Sequence, residues 1–205
     1  MKNVICIEGV VGAGKTTLGE LLAKELSIEF FQEPYIDNPF LDKFYSNKER
    51  YSLLSQMYFL NKRIEIIEEA SKFNGCIMDR SIYGDYLFAK MHLRNGFMTA
   101  DEFSLYQSFW EKLISARTNP LLIIYLETTV DNAIKKIKER GRDFELGVEK
   151  EYWTSLNEEY SNFFNEYNET VVLKINIDNM DIRDNEEDRK LFFDIVKSKL
   201  KELSL

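Results

Sequence analysis

Apolar positions along the 205-residue chain follow two alternating rhythms. Short, mainly apolar runs at 4–7, 28–32, 76–78, 121–126 and 171–175, the fourth the most continuous, predict five strands. Between them apolar residues recur at three- and four-residue spacing, the period of a helix with one buried face. Leu18, Leu21, Leu22 and Leu26 mark the first such stretch, and Leu53, Leu54, Met57, Leu60, Ile64 and Ile67 lie on one side of a second, about 48–73. Further helices are predicted at about 82–94 and 100–117. The second of these carries Phe103, Tyr106, Phe109, Trp110 and Leu113, whose spacing fits core or subunit-interface packing. Thr128-Thr129 offers an N-cap for a helix running to Arg140, where Gly141 stops it. A stretch at about 149–168, rich in Tyr152, Trp153, Leu156, Tyr160, Phe163 and Phe164, and an amphipathic one at 191–203 complete the helices. Pro34 and Pro39 bracket a loop, Asn74-Gly75 forms another, and the acidic segment 178–188 reads as a third. With no repeat, low-complexity tract or linker, the expectation is one domain, 1–205.

Strands that alternate with helices predict an α/β fold, a five-stranded parallel sheet with helices on both faces. Ligands of such sheets sit beyond the carboxyl ends of the strands. Three polar sites fall there: the glycine-rich stretch after the first strand, Glu33 after the second, and Asp79-Arg80 after the third.

Composition narrows the function. Hydrophobic content of 44% and charged content of 30% are those of an ordinary globular protein. A net charge of −8 excludes a general nucleic-acid binder, so an anionic ligand must be captured by local cations. No apolar run is long enough to span a bilayer, and a strand is predicted within three residues of Met1, so no signal peptide and a cytoplasmic location are expected. Cys6 and Cys76 sit inside predicted strands and read as buried thiols of a reducing compartment. His92, the only histidine, lies late in a helix and reads as a surface residue. Any general base is therefore expected to be a carboxylate.

The chemistry starts at Gly9-Val10-Val11-Gly12-Ala13-Gly14-Lys15-Thr16-Thr17, which fits G-x-x-x-x-G-K-[ST] between a strand and a helix. Such a loop turns backbone N–H groups inward around phosphates at a helix N-terminus. Lys15 can reach the β- and γ-phosphates of a nucleoside triphosphate, and the Thr16 hydroxyl can ligate Mg²⁺. Asp79, ending an apolar strand, suits the acidic partner of that Mg²⁺, the N-cap of the next helix, or both. Arg80 can neutralise a carboxylate or the moving phosphoryl group. A nucleoside 5′-hydroxyl needs a base whereas an acceptor phosphate does not, and Glu33 suits that task. Lys136 and Arg140 share a helix face, and Arg142 beyond Gly141 suits a lid over the triphosphate.

Together, the phosphate loop at 9–17, Glu33-Pro34, the run from Ser55-Gln56 to Arg63, Asp79-Arg80-Ser81, and Arg140-Gly141-Arg142 with Glu145 resemble the deoxynucleoside kinase family over nearly the whole chain. The likeness is strongest to the small bacterial deoxyadenosine/deoxyguanosine kinases. The resemblance implies a P-loop kinase with a short arginine-bearing lid at about 136–147, using ATP and Mg²⁺ to phosphorylate a deoxynucleoside, first of all deoxyadenosine. It implies Glu33 as general base with Arg80 as its partner, and Arg140 and Arg142 as lid arginines. It further implies Tyr45 and Glu145 at the sugar 3′-hydroxyl, Gln56 at the base edge, Arg63 and Asp85 at the exocyclic groups, Phe88 against the base, and a homodimer packed through helices. Gln56 and Arg63, seven residues apart, can face one cleft. Asp79 stands where eukaryotic members carry Glu, and Lys136 where they carry Arg.

Two other readings compete. A thymidylate-kinase-like nucleoside monophosphate kinase shares the architecture, but it would carry a glycine-rich sequence after Glu-Pro and a nearby arginine, where this chain has Tyr35-Ile36-Asp37. A GTPase-like switch would need Asn-Lys-x-Asp, and Asn61-Lys62 is followed by Arg63-Ile64.

Overall fold

The computed structural model describes residues 3–35, 37–115 and 119–203. Five parallel strands form one sheet in the order β2-β3-β1-β4-β5: β1 (Val4–Glu8), β2 (Glu29–Phe31), β3 (Cys76–Asp79), β4 (Leu122–Glu127) and β5 (Val172–Asn176). Registers such as Ile5 opposite both Ile77 and Leu122 put β1 in the centre. Parallel neighbours need crossover connections, and these are the helices. All residues of β1 and β3 are buried, so both faces of the sheet are covered, while the edge strands β2 and β5 are partly exposed. Cys6 and Cys76 are free and buried within this core.

The helices are α1 (Lys15–Leu26), α2 (Leu41–Ser46), α3 (Lys48–Ala70), α4 (Ile82–Arg94), α5 (Ala100–Ser115), α6 (Val130–Arg140), α7 (Asp143–Leu146), α8 (Lys150–Glu166) and α9 (Glu186–Leu203). Thr129 caps α6 as expected, its hydroxyl accepting from the Asn132 N–H, and Gly141 ends it in the left-handed region at φ 70°. The cap of α4 is Ser81, which accepts from the Tyr83 N–H, so Asp79 does not serve as that cap. Residues 116 and 117, placed in a helix by the sequence pattern, lie outside the described residues. The acidic segment is a loop only as far as residue 185, because α9 starts at Glu186, and α2 and α7 are additional to the predicted elements.

His92 departs most from expectation. It is fully buried, with Nδ1 2.7 Å from Ser52 Oγ and Nε2 3.1 Å from Tyr152 Oη. α4 is packed against α3 on one side and α8 on another, so its late turns are interior. Burial first, then the charge of Lys48, hold the imidazole pKa down to about 3, and it is neutral.

No helix among the described residues is long and apolar enough to cross a membrane.

Candidate active site

A cavity of about 760 Å³ opens at the carboxyl ends of the strands. Its floor is the glycine-rich loop: Val11 through Thr17 line it, while Gly9 and Val10 lie behind. Gly12 shows why the loop needs glycine. Its φ is 84°, and a Cβ there would stand 2.4 Å from the carbonyl oxygen of Ala133 on α6. The loop is thereby pressed onto α6. Lys15 is buried, donates to the Val10 carbonyl at 2.9 Å, and is brought down to about 8 by burial and the neighbouring Arg80 charge. An anionic phosphate beside it would favour the ammonium form further.

Thr16 donates its hydroxyl proton to Asp79 Oδ2 at 2.5 Å, and Asp79 Oδ1 is buried with no hydrogen-bond partner. A buried carboxylate oxygen left over beside a hydroxyl at the phosphate loop is the donor set a hard, oxygen-ligated cation takes. Thr16 and Asp79 therefore fit Mg²⁺.

Across the cavity, Glu33 accepts from Arg80 Nε at 2.7 Å. Burial pushes the Glu33 carboxyl up, but Arg80, Lys15 and Arg63 together hold it below the usual carboxylate range. Arg80 is locked on every side. Its backbone is left-handed at φ 73°, its Nη1 reaches Gly9 O at 3.4 Å and the Tyr160 hydroxyl, and its guanidinium lies 4.9 Å from the centre of the Phe88 ring. Glu8, fully buried at the end of β1, accepts from the Ser81 N–H and hydroxyl, both at 2.6 Å, with Oε2 4.0 Å from Arg80 Nη1. That anchors the turn holding Arg80 in its left-handed conformation. A Cβ at Gly84 would stand 2.4 Å from Arg80 Cγ and 2.7 Å from Cδ. We expect Gly84→Ala to displace Arg80 and lower kcat by roughly 10²-fold. The check is steady-state kinetics beside a melting curve; unchanged turnover would mean that the arginine's position is not critical.

Gln56, Asp85 and Phe88 line the cavity beyond Glu33. Arg63 does not line it. It is 1% exposed, its Nε and Nη2 donate to Asp85 at 2.9 and 3.3 Å, and Nη1 donates to the Asp79 and Arg80 carbonyls at 3.1 and 2.9 Å. Burial pushes the Asp85 carboxyl up, and the Arg63 fork opposes this. The helical spacing puts Gln56 and Arg63 on the same side of α3, but the Arg63 guanidinium is consumed below the surface.

At the outer rim, Arg140 and Arg142 both donate to Glu145, itself 4% exposed. Arg142 also lies over the Tyr35 ring, 3.4 Å from its centre. Tyr45 stacks on Phe144 of α7 with 5.5 Å between ring centres, next to Glu145 in sequence. More of the rim comes from α6, with Asn132, Lys135, Lys136 and Glu139, and from residues 177, 178 and 180–184 after β5. Sequence reasoning passed over that segment, Glu8 and Tyr160. Only Glu8 carried a signal, a carboxylate ending an otherwise apolar strand.

The profile of the family described as deoxynucleoside kinase matches residues 5–201. The chain belongs to the deoxynucleoside kinase family. It is 35% identical to the deoxyadenosine/deoxycytidine kinase of Bacillus subtilis (strain 168), covering 96% of this chain and 92% of the relative. It is 34% identical to the deoxyguanosine kinase of Lactobacillus johnsonii, covering 98% and 94%. The deoxyadenosine kinase of M. mycoides, solved with dCMP and a flexible dCDP, superposes with a TM-score of 0.85 at 28% identity, over 97% of this chain and 99% of that one. This kinase thus has the fold and the enzyme class expected of it, ATP-dependent deoxynucleoside phosphorylation.

Proposed function

We propose that this kinase transfers the γ-phosphoryl group of ATP to the 5′-hydroxyl of deoxyadenosine in preference to other deoxynucleosides, for nucleotide salvage in the cytoplasm. The observation that carries the reading is the Glu33–Arg80 pair facing the phosphate loop across one cavity. An ionised carboxylate so placed suits a hydroxyl acceptor, which must lose a proton, and not a phosphate acceptor.

Glu33 takes the 5′-hydroxyl proton. The 5′-oxygen forms its bond to the γ-phosphorus while the bond to the bridging β-oxygen breaks, and ADP leaves with that electron pair. Lys15 and the backbone N–H groups of Gly12 to Thr17 hold the phosphates. Arg140 and Arg142, in a lid at about 136–147, stabilise the charge spread over the transferring group. Thr16 and Asp79 would hold Mg²⁺, which neutralises phosphate charge when bound. Tyr45 and Glu145 take the sugar 3′-hydroxyl, and Gln56, Asp85 and Phe88 take the base. Asp85 accepts from the exocyclic amine of adenine or cytosine, whereas thymine presents a carbonyl there. The names of the relatives, which include deoxyadenosine/deoxycytidine, deoxyguanosine and deoxyadenosine kinases, support a deoxynucleoside acceptor with deoxyadenosine recurring among them. Coupled assays of ADP release with each deoxynucleoside and each monophosphate test this. Deoxyadenosine should be the best acceptor and thymidine the poorest, and turnover of monophosphates alone would overturn it.

The lid assignment makes its own demand. Arg142→Ala should depress kcat more than it raises the KM for ATP, because the charge it meets develops during transfer. Lys136→Ala should do less, since this half-buried lysine sits near a helix end where cations are favoured anyway. Equal effects in steady-state kinetics would remove the separate role of Arg142.

We also propose a homodimer packed through α3 and α5, which touch each other and expose Leu54, Leu105 and Phe109. Sedimentation should give twice the 24.2 kDa chain mass; a 24.2 kDa species throughout would refute it.

A further inference from the structure

We infer that His92 is a positioning residue for the nucleoside acceptor: through one hydrogen-bond pair and one ring stack it fixes Tyr152 and Phe44 as the inner wall of the acceptor pocket. The inference rests on reading the Gln56–Asp85–Phe88 end of the cavity as the acceptor side.

The geometry ties four elements to one imidazole. Ser52 of α3 and Tyr152 of α8 hold its two nitrogens at 2.7 and 3.1 Å. Phe44 of α2 stacks on its face, with 4.7 Å between centres and planes 24° apart. Phe44 and Tyr152 both line the cavity; His92 does not. Tyr45, adjacent to Phe44 in sequence, meets the Tyr152 ring edge-on at 6.2 Å. Helical periodicity puts the same layer beneath the rest of the pocket. Ser52 is one turn from Gln56 on α3, and His92 is one turn from Phe88 and two from Asp85 on α4. A neutral imidazole offers one donor and one acceptor, which matches two hydroxyls and no more. Any buried histidine must satisfy both ring nitrogens, so it is the position of the partners, and not their number, that matters here. This one joins two cavity-lining aromatics to the two helices that carry Gln56, Asp85 and Phe88.

The test is kinetic and uses His92→Phe, which keeps a ring against Phe44 but loses both hydrogen bonds, Tyr152→Phe, which removes only the hydroxyl, and their combination. Each single substitution should raise the KM for deoxyadenosine about tenfold, while the KM for ATP stays within about twofold and kcat within about threefold. The double variant should lose little beyond either single one, because both delete the same bond. His92→Gln, whose amide supplies a donor and an acceptor, should recover part of the loss. A purely structural role would lower kcat through the folded fraction, or move both KM values together, with a parallel fall in melting temperature; either result overturns the inference. So does an unchanged KM for deoxyadenosine. Wild-type enzyme that phosphorylates no deoxynucleoside would sink the acceptor reading first, and this inference with it.

Discussion

Glu33→Gln should lower kcat by roughly 10²–10⁴ and leave deoxynucleoside affinity close to that of the wild type. The amide keeps the size and the oxygen that Arg80 Nε binds at 2.7 Å, so substrate positioning survives. It cannot accept a proton. The pH profile provides a second handle. The catalytic form is deprotonated, and Arg80, Lys15 and Arg63 outweigh burial to hold Glu33 below its ordinary value of 4.5. Activity should therefore be lost only as pH falls through that lowered value, placing the acid limb of kcat/KM, which reports the free enzyme, below that of a free carboxylate. Near-normal turnover by the glutamine variant would assign proton removal elsewhere, with Asp79 the next carboxylate to examine. Equal losses in affinity and rate would instead make Glu33 an orienting group.

Arg63→Met should be the most destabilising single change at the site. It strands a 2%-exposed carboxylate, Asp85, and leaves the Asp79 and Arg80 carbonyls without the donor they share. Breaking one side of a buried ion pair costs about 3–5 kcal/mol. For a chain of this size that is a fall in Tm on the order of 10 °C, read by thermal denaturation. Arg63→Met combined with Asp85→Ala removes the stranded charge and should restore part of that stability. It should also raise kcat/KM for thymidine and lower it for deoxyadenosine, because the carboxylate that accepts from the amine and repels the thymine carbonyl is gone. The account of base selection fails if wild-type enzyme prefers thymidine, or if the double variant weakens every nucleoside in equal proportion. A single Arg63→Met variant as stable as the wild type would show that the buried pair is not needed.

The strands were legible because the central three are continuous apolar runs and the two edge strands short, mostly apolar ones, and polar ends then converge at one sheet edge, Gly9–Thr17, Glu33 and Asp79-Arg80. Six-residue α2 and four-residue α7 are too short to establish a period, yet they carry Tyr45 and Glu145. The failure at His92 was one of tertiary context: a polar residue near a helix end looks solvated until three other helices close over it. Arg63 shows the complementary limit. Spacing put it on the side of α3 that faces the cleft, but only the structure reveals that four hydrogen bonds hold its guanidinium beneath the pocket. The acidic loop after β5 was legible as a loop but not as part of the cavity rim, since a loop that follows an edge strand acquires its place from where that strand ends.

The central claim, phosphoryl transfer to the nucleoside 5′-oxygen, is tested most directly by ³¹P NMR of wild-type enzyme mixed with ATP, Mg²⁺ and deoxyadenosine. The account predicts one new phosphomonoester signal, split by the two 5′-methylene protons, growing in step with ADP. Inorganic phosphate as the only new product, a phosphomonoester coupled to the single 3′-proton, or no reaction until deoxyadenosine is replaced by its monophosphate would contradict it.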